Sequence, residues 1–226
     1  NIWHNSTTIF SMPFALVLFW ISAQQLEKHK PNRLIYICLL ITTITFIKPS
    51  FLFVFLISYP LMLLKTYSIK NKLFWINLSP LLVACLLIFI EYYLIYFVVE
   101  TSKDSSVIID FFYFYNYCSK GNNILLIILL AIISSMFFPL FVIIKNKEFL
   151  KDKLIQFSLT SVFLGILMSL SLSETGTRAN DGNFLWQTFI CMFLLYFSSV
   201  FNLLEKAKKS QDKPKKHLPE FLVFFI

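Results

Sequence analysis

Long apolar runs alternate along the chain with short, lysine-bearing breaks. The runs cover residues 7–26, 34–64, 73–99, 124–144, 154–173 and 184–204. Each reaches or exceeds the roughly 20 residues a helix needs to cross the hydrocarbon of a bilayer. An open sheet edge cannot be satisfied in lipid, so the runs are read as helices and not as strand pairs. The expected fold is all-α, a polytopic transmembrane helical bundle over residues 1–204 followed by a lysine-rich cytoplasmic tail, 205–226. Two runs carry charge within them: Lys48, followed by Pro49 and Ser50, and Glu91.

The breaks predict an orientation. Lys28, Lys30 and Arg33 follow the first run, and Lys65, Lys70 and Lys72 follow the second. Lys145, Lys147, Lys151 and Lys153 separate the fourth from the fifth, and six further lysines lie after Leu204. Only Lys48, Lys103, Lys120 and Arg178 lie elsewhere. By the positive-inside rule the four basic segments are cytoplasmic. The expected location is the cell membrane, multi-pass, with the N-terminus of this chain outside and its C-terminus in the cytoplasm.

That orientation constrains residues 34–64. A single crossing would place the two flanking basic loops on opposite faces, so the run must enter and return. Lys48-Pro49 is where it turns, because proline lacks the N–H a continuing helix needs and drives the preceding residue out of helical geometry. Each arm of about 15 residues rises roughly 22 Å, short of the ~30 Å hydrocarbon core. The pattern predicts a short helical hairpin with its tip near the outer face, buried in protein or lining a polar cavity. About seven membrane segments result.

Composition narrows the function classes. Residues are 58% hydrophobic and only 14% charged, where a soluble domain carries about a quarter charged residues. The net charge of +8 is spread over the breaks rather than gathered in one patch. The expected partner is therefore the lipid bilayer and not nucleic acid. The four cysteines form no CxxC pair and sit at no metal spacing from a histidine, so neither a disulfide framework nor a zinc site is read. Phosphate-loop, dinucleotide, HExxH and GxSxG motifs are absent from the sequence, which leaves ATP-driven and zinc chemistry without support. The chain begins at Asn1 with no signal-peptide pattern, and further sequence is expected upstream.

Polar residues gather on the predicted outer side. The segment 173–183 holds Glu174, Arg178, Asn180, Asp181 and Asn183, with Gly176 and Gly182. Arginine offers a planar fork of donors suited to phosphate or carboxylate. Asn180, Asp181 and Asn183 suit sugar hydroxyls. Taken alone, the segment is a solvated turn closed by a Glu174–Arg178 pair; neighbours on the same face bring it into a candidate site. One is Trp3-His4-Asn5, where His4 is able to carry a proton near neutral pH, although Trp3 also suits an interface anchor and Asn5-Ser6-Thr7 a helix cap. Lys48 is the second, since an ammonium between apolar helices needs a partner, a ligand or a route to the headgroups. Glu91 suits a structural pair with Lys48 as well as it suits chemistry. The aromatic stretch 111–117 is read as a belt lying at the membrane surface.

With these residues laid out, the chain resembles the C-type integral membrane glycosyltransferases of bacterial surface-polysaccharide pathways. The resemblance rests on Trp3-His4-Asn5-Ser6-Thr7 at the entry to a helix, the hairpin around Lys48-Pro49-Ser50, and the 174–183 segment followed by Phe184-Leu185-Trp186. It implies an enzyme that takes a sugar from a polyprenyl-phosphate carrier and transfers it, outside, to a glycan or lipid acceptor. Lys48 and Arg178 match groups that steady the lipid phosphate. The acid such enzymes carry in their first outer loop has no counterpart here, because no such loop precedes Trp3.

Transfer with inversion needs a base at the acceptor hydroxyl and cations at the departing phosphate. Glu174, Asp181 and His4 are the expected catalytic groups. Lys48, Arg178, Asn180, Asn183, Trp3 and Asn5 are the expected substrate contacts. No cofactor is implied, and the acids form no recognisable ligand set, although a divalent metal stays open. The alternative is a transporter or lipid-linked oligosaccharide flippase, since broken helices beside charges also serve transport. Transport calls for polar residues at the cytoplasmic mouth too. A subunit without a site of its own ranks third.

Overall fold

A computed structural model describes residues 6–98, 106–113, 115–116, 123–176, 179 and 182–209. Seven helices dominate these residues. They are α1 (Ser6–Glu27), α2 (Pro31–Ile47), α3 (Ser50–Thr66), α4 (Lys72–Tyr93), α5 (Ile124–Lys145), α6 (Lys153–Ser171) and α7 (Asn183–Lys209). The fold is all-α, as the runs required. Five of the helices, α1, α4, α5, α6 and α7, are long and apolar enough to cross a membrane. The other two are apolar and 17 residues each, or roughly 25 Å at 1.5 Å rise per residue. Helix α7 continues beyond Leu204 to Lys209, into the lysine-rich segment.

Local chemistry sets most boundaries. Helix α2 starts with Pro31 in its first turn, where the missing N–H is no loss. Asn71, Asn123 and Asp152 cap α4, α5 and α6 with side-chain oxygens that accept first-turn backbone N–H groups. Lys48 is extended (φ −169°, ψ 112°), the conformation that the following proline imposes, and α3 begins at Ser50. The hairpin expected over 34–64 is therefore α2–α3, turning at Lys48-Pro49.

Two features depart from the apolar runs. Helix α4 is broken into Lys72–Leu78 and Pro80–Tyr93, because Pro80 has no N–H to continue the first part. A π-helical turn, Leu94–Val98, extends it. The fifth run, read as helix to Ser173, ends as helix at Ser171. Leu172–Glu174 instead forms a strand (β2) antiparallel to β1 (Val107–Ile109), with Glu174 opposite Val107 and Leu172 opposite Ile109. This two-stranded ribbon ties the long 99–123 connection to the end of α6. Thr175 N donates to Ser106 O at 2.9 Å, and Phe112 N to Leu170 O at 2.8 Å.

Side-chain bonds identify one shared end of the bundle, the lysine end. Lys153 Nζ donates to Leu26 O at 2.7 Å, joining α6 to the end of α1. Lys206 on α7 bonds Asn146 Oδ1 and Glu148 after α5. Asn202 Nδ2 donates to Asp152 Oδ1 at 3.3 Å. Gln25 Nε2 donates to Asn77 Oδ1 at 2.8 Å, with His29 Nδ1 3.0 Å from the same oxygen. The breaks that carry the lysines thus meet at one end, and the hairpin tip and ribbon lie at the other.

The bundle is apolar outside as well as inside. Large apolar side chains point outward, with Leu82 74% and Phe163 67% exposed. Serines and threonines are buried between helices. The α6–α7 contact uses small residues: Gly165 meets the Thr188 backbone, and Thr188 Oγ1 donates to Gly165 O at 2.8 Å. Close approach over small residues with interhelical hydrogen bonds is how helices associate where lipid removes the hydrophobic drive. Further in, Phe19 of α1 stacks on Phe157 of α6 at 4.8 Å, and Phe55 and Tyr59 of α3 pack on the same Phe157 ring at 6.3 and 6.2 Å, joining α1, α3 and α6.

Candidate functional site: an amphipathic cavity at the hairpin tip

Three chain segments place polar groups at the ribbon end. The extended Lys48 puts its ammonium beside the start of α7. Strand β2 ends on Glu174, held opposite Val107 by the ribbon. The chain then returns through Gly176 (φ 68°) and Gly182 (φ 58°), whose left-handed conformations favour glycine, and α7 opens on Asn183.

The Asn183 amide bridges the two charges. Lys48 Nζ donates to Asn183 Oδ1 at 3.3 Å, and Asn183 Nδ2 donates to Glu174 Oε2 at 2.5 Å. The amide is therefore oriented with its oxygen to the cation and its nitrogen to the anion. Glu174 is buried at 7% exposure. Its carboxylate also sits at the N-terminal end of α7, where the helix dipole favours negative charge. Cation, amide and anion are thus linked in a partly buried polar array.

This array caps a cavity of about 640 Å³. Lys48, Glu174, Asn183 and Glu91 line its polar part, and Thr7 in the first turn of α1 joins them. Phe53 and Leu56 of α3, with Cys85, Ile88 and Phe89 of α4, line the remainder. Leu56 lies seven residues below Pro49 on α3, so the apolar trough descends roughly 10 Å along the bundle. A polar head over an apolar trough matches an amphiphile with a charged or hydrogen-bonding head and a hydrocarbon tail.

Lys48, Glu174 and Asn183 thus come together, and Glu91, read from the sequence as a structural pair or a participant, shares their cavity. Trp3, His4, Asn5, Arg178, Asn180 and Asp181 lie outside the described residues. Phe53, Cys85 and Phe89 were not singled out in the sequence, where they are three apolar positions among many. The ribbon that aims Glu174 was also missed; the β-branched run Val107-Ile108-Ile109 within a polar connection was its one signal. Among the described residues no cluster of three or more metal-ligating side chains occurs.

The opposite end needs a correction. Polar groups other than lysine were expected to gather on the outer side, yet Gln25, His29, Asn77, Asn146, Asp152 and Asn202 form bonded clusters at the lysine end. Buried Gln25 and Asn77 bind each other across helices α1 and α4 because an amide between apolar helices must find a partner.

Comparison with protein-family models, with curated proteins and with solved structures found no match.

Proposed function

We propose that this chain is an integral membrane glycosyltransferase that uses a polyprenyl-phosphate-linked sugar at the ribbon end of the bundle. In this reading all seven helices are membrane segments, the lysine end faces the cytoplasm and the ribbon end faces outside. The observation that carries the proposal is the cavity itself. A cation, a buried carboxylate and an amide sit over an apolar trough, which suits a lipid with a phosphosugar head better than it suits a free ion or a soluble sugar.

The chemistry follows from the array. A hydroxyl of the glycan or lipid acceptor attacks the anomeric carbon, and its proton passes to the Glu174 carboxylate as the new glycosidic bond forms. The bond from that carbon to the carrier phosphate breaks, and the phosphate leaves with the electron pair. Lys48 and the N-terminal amides of α7 stabilise its charge, with Arg178 assigned the same task from the sequence. Asn183 holds Lys48 and Glu174 in register. Asp181 and His4 are further acid–base candidates, and Asn180, Trp3 and Asn5 further substrate contacts.

Native Cys85 offers a direct test of occupancy, since it lines the trough and is exposed. In a variant with Cys38, Cys118 and Cys191 replaced by serine, a polyprenyl-phosphate sugar should slow maleimide labelling of Cys85. Lys48→Met should weaken that protection. Labelling at an unchanged rate with saturating lipid would remove the trough from the proposal.

A second reading, transport of a lipid-linked sugar, is favoured by the polar cluster Gln25–His29–Asn77 at the lysine end, whose two amides are buried. Its groups bond to one another, so transfer remains the better reading. Sugar translocation between leaflets without glycosidic product would reverse the order.

A further inference from the structure

Five buried polar side chains in the bundle make no hydrogen bond among the described residues. They are Ser22, Ser58, Tyr59, Gln187 and Ser199, each fully buried, and Gln187 lacks a partner at both its amide oxygen and its amide nitrogen. Most hydroxyls in this bundle bond back to their own helix, as Ser158, Ser161 and Ser198 do. A buried amide or phenol with nothing to bond is costly in a lipid-embedded interior, because it has lost its water and gained no partner. Buried polar groups are in practice satisfied by protein or by internal water.

The five occupy successive levels of the bundle. Gln187 lies one turn below Asn183 on α7, directly under the polar array. Ser58 and Tyr59 lie further down α3, where Tyr59 packs at 6.2 Å on Phe157, itself stacked on Phe19 of α1. Ser22 is one turn beyond Phe19. Ser199 reaches the same level on α7, because Trp20 packs edge-on against Phe197 and Phe201 at 5.7 and 4.6 Å. One turn further on α1 is Gln25, bonded to Asn77. From Gln187 to Ser199 the descent is roughly 18 Å at 1.5 Å per residue.

We propose that the core between α1, α3 and α7 holds a file of internal water molecules joining the head of the cavity to the Gln25–Asn77–His29 cluster. Each orphaned group then has a partner, and the serines and the Tyr59 hydroxyl mark successive steps of the file. Titratable side chains stand at both ends, Glu174 above and His29 below, so the file gives the carboxylate a hydrated line towards the lysine end. The proposal does not depend on which lipid occupies the cavity.

Radiolytic hydroxyl-radical footprinting of the unaltered full chain in vesicles tests this, because radicals formed from bound water oxidise the side chains beside it. After correction for intrinsic reactivity, Tyr59 should be oxidised well above Phe51, which is equally buried but has no polar atom. Ser58→Cys and Ser199→Cys, in a background without the native cysteines, should react with a methanethiosulfonate reagent, which needs an ionised thiol and hence water. Their loss of free thiol should clearly outpace that of Phe163→Cys on the outer surface of α6. Oxidation of Tyr59 no greater than that of Phe51 would overturn the file, and so would cysteines no more reactive than the Phe163→Cys control. If the cysteine variants fail to fold, the footprint of the unaltered chain decides.

Discussion

Gly165 sets the distance between α6 and α7, and enlarging it should measure how much that contact holds the bundle together. A Cβ built at Gly165 would lie 3.3 Å from Thr188 Cα, 3.4 Å from Cys191 Sγ and 3.5 Å from Thr188 Oγ1. The nearest atom is backbone and cannot rotate away. Alanine therefore requires α7 to shift by a few tenths of an ångström. That strain opposes the ~1 kcal/mol that alanine gains over glycine inside a helix, so Gly165→Ala should change stability little. Leucine adds three further carbons into the same closed space. Overpacking of that kind costs about 1–3 kcal/mol. Separating the helices also breaks the Thr188–Gly165 hydrogen bond, worth about 0.6 kcal/mol on average for such bonds in membrane bundles. Leucine gains nearly as much helix propensity over glycine as alanine does, so Gly165→Leu should destabilise by about 1–3 kcal/mol net. Phe163→Leu, on the exposed face of the same helix, should be near neutral. Thermal unfolding of the purified chain in one detergent compares all three. A leucine variant as stable as the parent would show that α6 and α7 do not approach at Gly165.

Two other substitutions probe the lysine end. Asn77→Leu removes the acceptor for Gln25 and leaves a buried amide short of a partner, which should cost about 1–3 kcal/mol in the same unfolding assay; an unchanged midpoint would argue that Gln25 is already wet. Lys206 donates a hydrogen bond to Glu148, and chiefly for that reason holds its carboxyl below the ordinary carboxylate range. A lowered folded-state pKa contributes stability that is present above the unfolded pKa and lost as pH falls through the folded one. The stability gap between the parent and Lys206→Ala should thus be larger at about pH 7 than at about pH 3, without vanishing, because Lys206 also bonds Asn146. A gap independent of pH would mean that the ion pair contributes nothing.

Much of the helical frame was legible in one dimension because the length and apolarity of a run are themselves one-dimensional properties. Length and apolarity marked the helices, and the lysines on both sides of residues 34–64 required a return, which Lys48-Pro49 supplies. Asn71, Asn123 and Asp152 are local caps readable from the residues that follow them. The break at Ser79-Pro80 carried an equally plain signal in its proline, but the surrounding apolar run concealed it. What escaped depends on contacts between distant segments. The pairing of Val107–Ile109 with Leu172–Glu174 is backbone hydrogen bonding across more than sixty residues, and the β-branched run that marks one strand does not name its partner. The Gln25–Asn77 bond spans 52 residues, and each amide taken alone resembles an ordinary helix-end residue. Lys48, Glu174 and Asn183 were named from their chemistry, whereas their common amide bridge is a product of the ribbon and the hairpin together.

The central claim is that Glu174 takes the acceptor's proton in a transfer from a lipid-linked sugar bound beneath Lys48. Its most direct test is product formation by the full-length protein in vesicles, supplied with a polyprenyl-phosphate sugar and an acceptor. Glu174→Gln keeps the shape of the side chain and its capacity to accept from Asn183 but removes the basic oxygen pair. General-base assistance is worth about 10²–10⁴-fold, so transfer by Glu174→Gln should fall by about that factor while protection of Cys85 by the lipid persists. Glycosidic product at the parent rate from Glu174→Gln, with the lipid still bound, would contradict the account.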